Sequence, residues 1–316
     1  MVNRKFIPLI VTCCLFFLLF GIGSVQFESF GTPRVFFNLL TDNAFLIIAA
    51  VGMTFVILSG GIDLSVGAVI ALTGVISGVL ISQYNWHPLV VFPVVLLLGT
   101  GFGAAMGALI YVYKLQPFIV TLAGMFLARG LASVISEESI PITHEFYDAV
   151  SMFGFELPGG AWIGSSTIIC LLVLIIAIVV AHYTRFGGRV YALGGDNNSA
   201  ALMGVPLART TIAIYATSSF LATLSGIVYS FYTFSGYSLA AVGVELDAIA
   251  AVVIGGTLLT GGYGYVIGTL IGVLIMGVVQ TYISFDGTLS SWWTKIVIGV
   301  LLFCFIAMQR VLSRGR

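Results

Sequence analysis

The sequence predicts an all-α integral membrane protein of about ten transmembrane helices, on three observations. First, AVILMFWYC residues make up 59% of the 316 residues, and Asp, Glu, Lys and Arg only 8%; soluble proteins carry about a quarter charged residues. Second, apolar runs near the ~20 residues that a hydrocarbon core about 30 Å thick requires recur along the whole chain. Third, the run at 168–180, IICLLVLIIAIVV, shows no alternation of polarity. Transmembrane strands alternate, so a barrel is excluded, and helices remain as the way to pair every backbone group in lipid.

In chain order the predicted spans are 6–22, 38–58, 62–82, 90–112, 117–136, 163–181, 210–232, 247–259, 264–281 and 292–309. The first follows Arg4 and Lys5 as a signal peptide would. It lacks a clean small-residue cleavage site and further spans follow, so it is read as retained. The eighth is short and interrupted by glycine. No length is left for a hydrophilic domain, and residues 1–316 are read as a single transmembrane domain. Cys13, Cys14, Cys170 and Cys304 lie inside apolar runs without a CxxC pair and are read as small hydrophobes.

With the first terminus inside, the loops at 59–61, 113–116, 182–209 and 310–316 fall in the cytoplasm. Nine of the 12 basic residues are then on that side: Arg4, Lys5, Lys114, Arg185, Arg189, Arg209, Arg310, Arg314 and Arg316. The opposite loop, 137–162, holds Glu137, Glu138, Glu145, Asp148 and Glu156 and no Lys or Arg, with Arg34 the exception on that face. Basic residues orient helical bundles, so both termini are expected in the cytoplasm. The acidic loop reads either as a docking face for an extracytoplasmic partner or as a solvated surface.

Similarity recurs at an offset of 201 residues, as between Gly60 and Gly261. IAAV stands at 48–51 and 249–252, Gly60–Gly61 matches Gly261–Gly262, and Gly67 matches Gly268. Both stretches run inward to a glycine turn, which predicts two pseudo-repeated halves in parallel orientation; chance matching of two glycine-rich helices is the competing explanation. Gly60, Gly61, Gly67, Gly255, Gly256, Gly261, Gly262 and Gly268 are the predicted hinge or packing glycines.

Few polar groups interrupt the spans, and each is a candidate for the solute path or for structure. Asp63 with Ser65 either caps the helix that begins there or contacts a ligand. Arg129 reads either as snorkelling to the headgroups or, the favoured reading, as pairing inside the bundle with Asp63, Glu245 or Asp247. Glu245 and Asp247 stand where acids compensate a helix N-terminus. Asn43 completes the set. Phe231, Tyr232, Phe234 and Tyr237 read either as an interfacial belt or as the aromatic face of a polyol site. Trp86, Trp162, Trp292 and Trp293 each flank a span and fit the belt.

No GxxxxGK[ST] loop for ATP and no G-x-S-x-G elbow is present, and His87, His144 and His182 are widely spaced. No cofactor, metal site or catalytic residue is expected in this chain, and a net charge of zero gives no case for nucleic acid. In the inner loop, Arg185 and Arg189 lead to a predicted turn at Gly194–Gly195. Residues 198–203 predict a one- to two-turn helix outside the membrane, capped by Asp196, Asn197 or Asn198 and stopped by Gly204 and Pro206. A short rigid helix on a bundle without an energy source is a handle for a drive subunit.

Three motifs then carry a resemblance: GGIDLSVG at 60–67, TRFGGRVYALGG at 184–195 with AALMG at 200–204, and ELDAIAAVVIGGTLLTGGYGYVIG at 245–268. Over nearly the whole chain the sequence resembles the permease family of bacterial ABC importers for monosaccharides, the ribose-type branch, and within it the galactofuranose importers. The resemblance implies a dimeric permease paired with a paralogous permease subunit, cytoplasmic subunits binding ATP and Mg, and a periplasmic sugar-binding protein, assembled at the bacterial inner membrane. It implies further that the inner loop supplies the coupling helix. Asp196, Asn197, Asn198, Ala200, Ala201, Leu202, Met203 and Gly204 are then the expected contacts to the ATPase. The family commonly has Asn where Asp196 stands and often a polar residue in place of Met203, which implies a partner surface specialised for this permease. A stand-alone secondary carrier is the competing function, and the sparse intramembrane acids argue against its ion site or proton relay.

Overall fold

The computed structural model describes residues 7–313, with side chains described from 8 to 309. Arg4, Lys5, Arg314, Arg316 and the side chain of Arg310, on which part of the predicted orientation rests, lie outside the described residues. Helix α1 (Ile7–Gln26) is followed by α2 (Pro33–Asp42) and α3 (Ala44–Leu58), bent by 57° across Asn43. Helix α4 (Val66–Gly78) continues into a π turn at Val79–Gln83, and α5 (Pro88–Val112) and α6 (Pro117–Ile135) follow. Pro33, Pro88 and Pro117 stand at helix starts, where no backbone N–H is needed and φ is pre-set.

After α6 the chain forms a folded cap of strand β1 (Ile140–Pro141), helix α7 (Glu145–Met152) and the hairpin β2 (Gly154–Leu157) and β3 (Ala161–Gly164). Helix α8 (Ser165–Tyr183) leads to an arm made of α9 (Arg185–Gly195) and α10 (Asn197–Leu202). Then come α11 (Leu207–Thr233), strand β4 (Ser235–Gly236), α12 (Val244–Ile254), α13 (Val266–Asp286) and α14 (Trp292–Ser313). The short strands form two two-stranded ladders, β1 with β4 and β2 with β3, an addition to the predicted all-helical architecture. The acidic stretch 137–162 is therefore no plain loop. Tyr147 of α7 is fully buried, its ring centroid 5.0 Å from Phe231, and its hydroxyl is 3.1 Å from that of Ser230.

Eight of the described helices are long and apolar enough to cross a membrane, nine if α2 and α3 count as one bent span. The predicted eighth span, at 247–259, is not one. Helix α12 has 11 residues, about 16 Å at 1.5 Å per residue, half of a ~30 Å hydrocarbon core. It ends because the chain turns at Gly255–Gly256, with Gly256 at φ +91°.

Most residues of α3, α4, α11 and α13 are buried, whereas α1, α5, α6, α8 and α14 turn apolar side chains such as Leu97, Phe126, Ile175 and Phe303 outward. That outer layer suits lipid. At the arm end of the bundle α1 begins beside Gly256, and α9 meets the end of α3. At the cap end β1 joins β4, and Gly159 approaches Pro33. Helices α3 and α12 both run from cap end to arm end, and α4 and α13 return. Gly60 and Gly261, at equivalent positions, both have φ +84°, a conformation open to glycine without steric cost. The Thr54 and Thr269 hydroxyls lie 2.7 Å apart and join α3 to α13. These shared features support an internal repeat, with the second copy's first helix cut short.

Candidate functional site

The arm end is built on three glycine pairs. The N–H of Gly262 donates to the carbonyl of Leu58 at 2.9 Å, tying the second glycine turn to the end of α3. Gly194 of α9 wedges between them: a Cβ there would stand 1.8 Å from Leu58 O and 2.3 Å from Gly262 N. A Cβ on Gly261 would stand 2.7 Å from Gly60 N. Backbone thus packs on backbone, an approach that only glycine permits. Tyr191 of α9 adds an anchor, its hydroxyl donating to Gly264 O at 2.7 Å, and burial pushes this phenol above its ordinary value. Among the other predicted glycines, Gly61 faces the Tyr215 hydroxyl, Gly67 faces the Glu245 carboxylate, and Gly255 and Gly268 bring α12 and α13 together.

Helix α9 was not expected, because a turn was predicted at Gly194–Gly195. Glycine-rich sequence lowers helix propensity, yet here the missing side chains allow close docking. A Cβ at Gly187 would stand 2.0 Å from Ala181 O. Helix α10 falls where predicted. Asp196 caps it, Oδ1 accepting the Ser199 N–H at 2.6 Å, and Gly204 at φ +77° follows it. That backbone bond holds the Asp196 carboxyl below its usual value, so it is ionised at neutral pH. Ala200 is fully buried, which makes it a packing residue; Asn197, Asn198, Ala201, Leu202 and Met203 face outward. Leu202 is 90% exposed and Met203 70%, an apolar pair uncovered outside the predicted spans.

Asp63 is fully buried. Its Oδ1 accepts from the Ser65 N–H at 2.9 Å and the Ser65 hydroxyl at 2.6 Å, and its Oδ2 from the Ser218 hydroxyl at 2.7 Å. It closes the turn before α4 and ties that turn to α11. It does not reach beyond Ser65 into the helix, so the predicted cap is met only in part.

Among the described residues Arg129 makes no direct ion pair with an acid, although the Glu245 carboxylate acts on it electrostatically. Its Nη1 donates to the carbonyls of Ser238 and Ala240 at 2.7 and 2.6 Å. The segment between β4 and α12 folds back beside α6, and its carbonyls, with no ladder of their own, need a donor. Of the expected acidic partners, Asp63 and Asp247 are engaged elsewhere, and Glu245 acts on Arg129 through its charge without a direct contact. Asp247 holds Lys295 through both oxygens at 2.7 Å, the ion pair found among the described residues. Glu245 Oε2 is buried without a hydrogen bond, in the first turn of α12, where its charge complements the helix N-terminus.

Asn43 and Asp247 line one cavity of about 510 Å³, between the α2–α3 bend, the end of α11, the start of α12 and the second half of α13. A second lobe of about 380 Å³ shares Asn43, Leu46, Asp247, Gln280 and Ser284 with it and extends to Lys295. The predicted aromatic group divides: Tyr232 lines the cavity, while Phe231 and Phe234 pack on Tyr147. Asn38, Asp42, Gln280, Thr281 and Ser284 were missed. The legible signal was Gln280 with Ser284, two polar residues one turn apart on a mostly apolar helix. His87 and His144, distant in sequence, have ring centroids 5.3 Å apart, each Nδ1 accepting an N–H at its own helix start. No group of three metal-ligating side chains occurs among the described residues.

This architecture agrees with what the chain is similar to. Residues 35–306 match the family model described as branched-chain amino acid transport system / permease component. The inner membrane ABC transporter permease protein YjfF of Escherichia coli (strain K12) is 58% identical over 99% of this chain and 94% of that protein. The fructose import permease protein FruG of Bifidobacterium longum (strain NCC 2705) is 40% identical over 98% of this chain and 92% of its own length. The ribose import permease protein RbsC of Escherichia coli (strain K12) is 37% identical over 92% of this chain and 90% of its own. No solved structure matches. A multi-spanning helical bundle matched over almost its whole length by such proteins belongs to the sugar-import permeases of the ABC-transporter family, translocation subunits that are themselves non-catalytic and work with an ATP-binding subunit.

Proposed function

We propose that this chain, as one transmembrane domain, moves a monosaccharide into the cytoplasm when α10 is pushed by the ATP-binding subunit. Both termini and the arm lie in the cytoplasm, and the acidic cap receives a periplasmic sugar-binding protein. The second permease of the dimer is a paralogue. Fructose and ribose stand in the names of relatives, and the motif resemblance puts galactofuranose first among the sugars to test.

One observation carries the coupling reading: the arm bearing the exposed Leu202–Met203 face is locked through Gly194 to both glycine turns at once. Movement of α10 is therefore delivered to α3 and to the loop ahead of α13 together. The partner drives the switch by binding one permease conformation better than the other.

The test is a reconstituted complex of both permeases, the ATPase and the binding protein in proteoliposomes. Ala201→Glu places a charge on the outward face without touching the buried Ala200. ATP-dependent uptake is expected to fall by about tenfold, the equivalent of 1.4 kcal/mol, with the complex still assembled. Wild-type uptake by this variant overturns the coupling role of α10. Uptake by the isolated chain without ATPase would replace the whole reading by a carrier.

A further inference from the structure

We infer that Asn38, Asp42 and Asn43 at the α2–α3 bend and Gln280, Thr281 and Ser284 on α13 form the surface of this permease that contacts the sugar. The inference rests on the transport reading and specifies where within the chain the solute passes. Its first ground is energetic. Among the described residues, the side chains of Asn38, Asp42, Gln280 and Thr281 make no hydrogen bond to the protein, and Asn38, Asp42, Gln280 and Ser284 are exposed to the cavity side. They lie on α13 and on the bent α2–α3 pair, both long and apolar enough to cross a membrane, where a polar group without a partner costs several kcal/mol. Such groups are tolerated where they line water or a hydrated solute.

The second ground is chemical. Asn38 and Gln280 each offer donors and acceptors, as does Asn43 beyond the N–H it donates to Leu39 O at 2.9 Å. Asp42 offers acceptors, Thr281 offers both on one atom, and Ser284, whose hydroxyl donates to Gln280 O at 3.0 Å, offers an acceptor. Hydroxyl groups on a sugar ring need that mixture, since each donates and accepts. Asp247 is neutralised by Lys295 at 2.7 Å, so the wall carries neither the cationic cluster of an anion site nor the paired acids of a cation site. Tyr229, Tyr232 and Phe285 add ring surface for the C–H face of a sugar. A volume of about 510 Å³ lies in the lower part of the ~300–1,000 Å³ range of small-ligand sites, which suits one monosaccharide.

The third ground is how the surface is assembled. Asn38 and Asp42 are one turn apart on α2, as Gln280 and Ser284 are on α13. The two rows meet because α2 and α3 bend at Asn43, over Gly277: a Cβ at 277 would stand 2.7 Å from Asn43 Nδ2. The glycine thus makes room for an amide at the centre of the cavity.

The experiment uses the same reconstituted complex with Gln280→Leu and Asn38→Leu, changes that favour a lipid-embedded helix. Sugar moved per ATP hydrolysed is expected to fall by about fivefold for each, the order of one lost hydrogen bond, while ATPase stimulation by the loaded binding protein is unchanged. Unaltered transport per ATP in both variants overturns the site. A second measurement stands apart from the coupling reading: Ser284→Cys in a chain lacking Cys13, Cys14, Cys170 and Cys304. Labelling by a water-soluble thiol reagent is expected, with protection by galactofuranose, ribose or fructose but not by glutamate or choline. Absent labelling, or protection by none of the sugars, overturns the site even if ATP-driven transport stands. Absent ATP-driven transport in the wild-type complex overturns the transport reading, and the labelling result then decides the site by itself.

Discussion

A buried carboxylate is either structural or functional, and Asp63 allows the two to be separated. Three donors from Ser65 and Ser218 converge on it. Asp63→Ala leaves those donors without an acceptor, at about 1–3 kcal/mol for each one stranded. Asp63→Asn keeps a carbonyl oxygen for the Ser65 N–H, and the Ser218 hydroxyl rotates to accept from the new amide. Melting of the purified protein in detergent should therefore drop sharply for Asp63→Ala and little for Asp63→Asn. Equal losses would mean that the charge itself is required, and the turn-closing role would fail. Arg129 teaches the complementary lesson. An arginine in an apolar segment was legible as needing a partner, but its partners are main-chain carbonyls of Ser238 and Ala240. Side-chain charges can be read from a sequence, whereas carbonyls left free by a folded-back segment cannot.

The elements divide in the same way into those written in local sequence and those decided by packing. Helix α10 was legible because its cap, its small residues and its Gly204 stop are all local signals. Helix α12 was mistaken for a span because its composition is that of one, and only the turn at Gly255–Gly256 shortens it. Helix α9 was missed because glycine reads as a break until the backbone it docks against is known. That docking gives a paired prediction. A Cβ on Gly194 overlaps Leu58 O and Gly262 N, whereas a Cβ on its neighbour Gly195 meets nothing within 4 Å. Gly194→Ala should cost about 1–3 kcal/mol, as overpacking does, and lower the detergent melting temperature; Gly195→Ala should leave it near wild type. If both variants melt alike, α9 is not seated on the glycine turns, and the route from arm to bundle is lost with it.

For the whole molecule the decisive quantity is direction across the membrane. The span pattern and the repeat at Gly60 and Gly261 were legible from periodicity and spacing. The polar cavity was not, because its residues come from five helices and lie scattered along the chain. The proposed direction rests on the positive-inside rule, which favours the arm with Arg185, Arg189 and Arg209 in the cytoplasm and the acidic cap outside. Two exposed positions at opposite ends test this: Met152 in the cap, 76% exposed, and Leu202 in the arm, 90% exposed. In a chain without its native cysteines, Met152→Cys should react with a membrane-impermeant thiol reagent in cells whose inner membrane is intact, and Leu202→Cys only after that membrane is opened. The reverse pattern would present α10 to the wrong side for an ATP-binding subunit. It would also point the acidic cap at the cytoplasm, so the coupling role of the arm and the docking role of the cap would fall together.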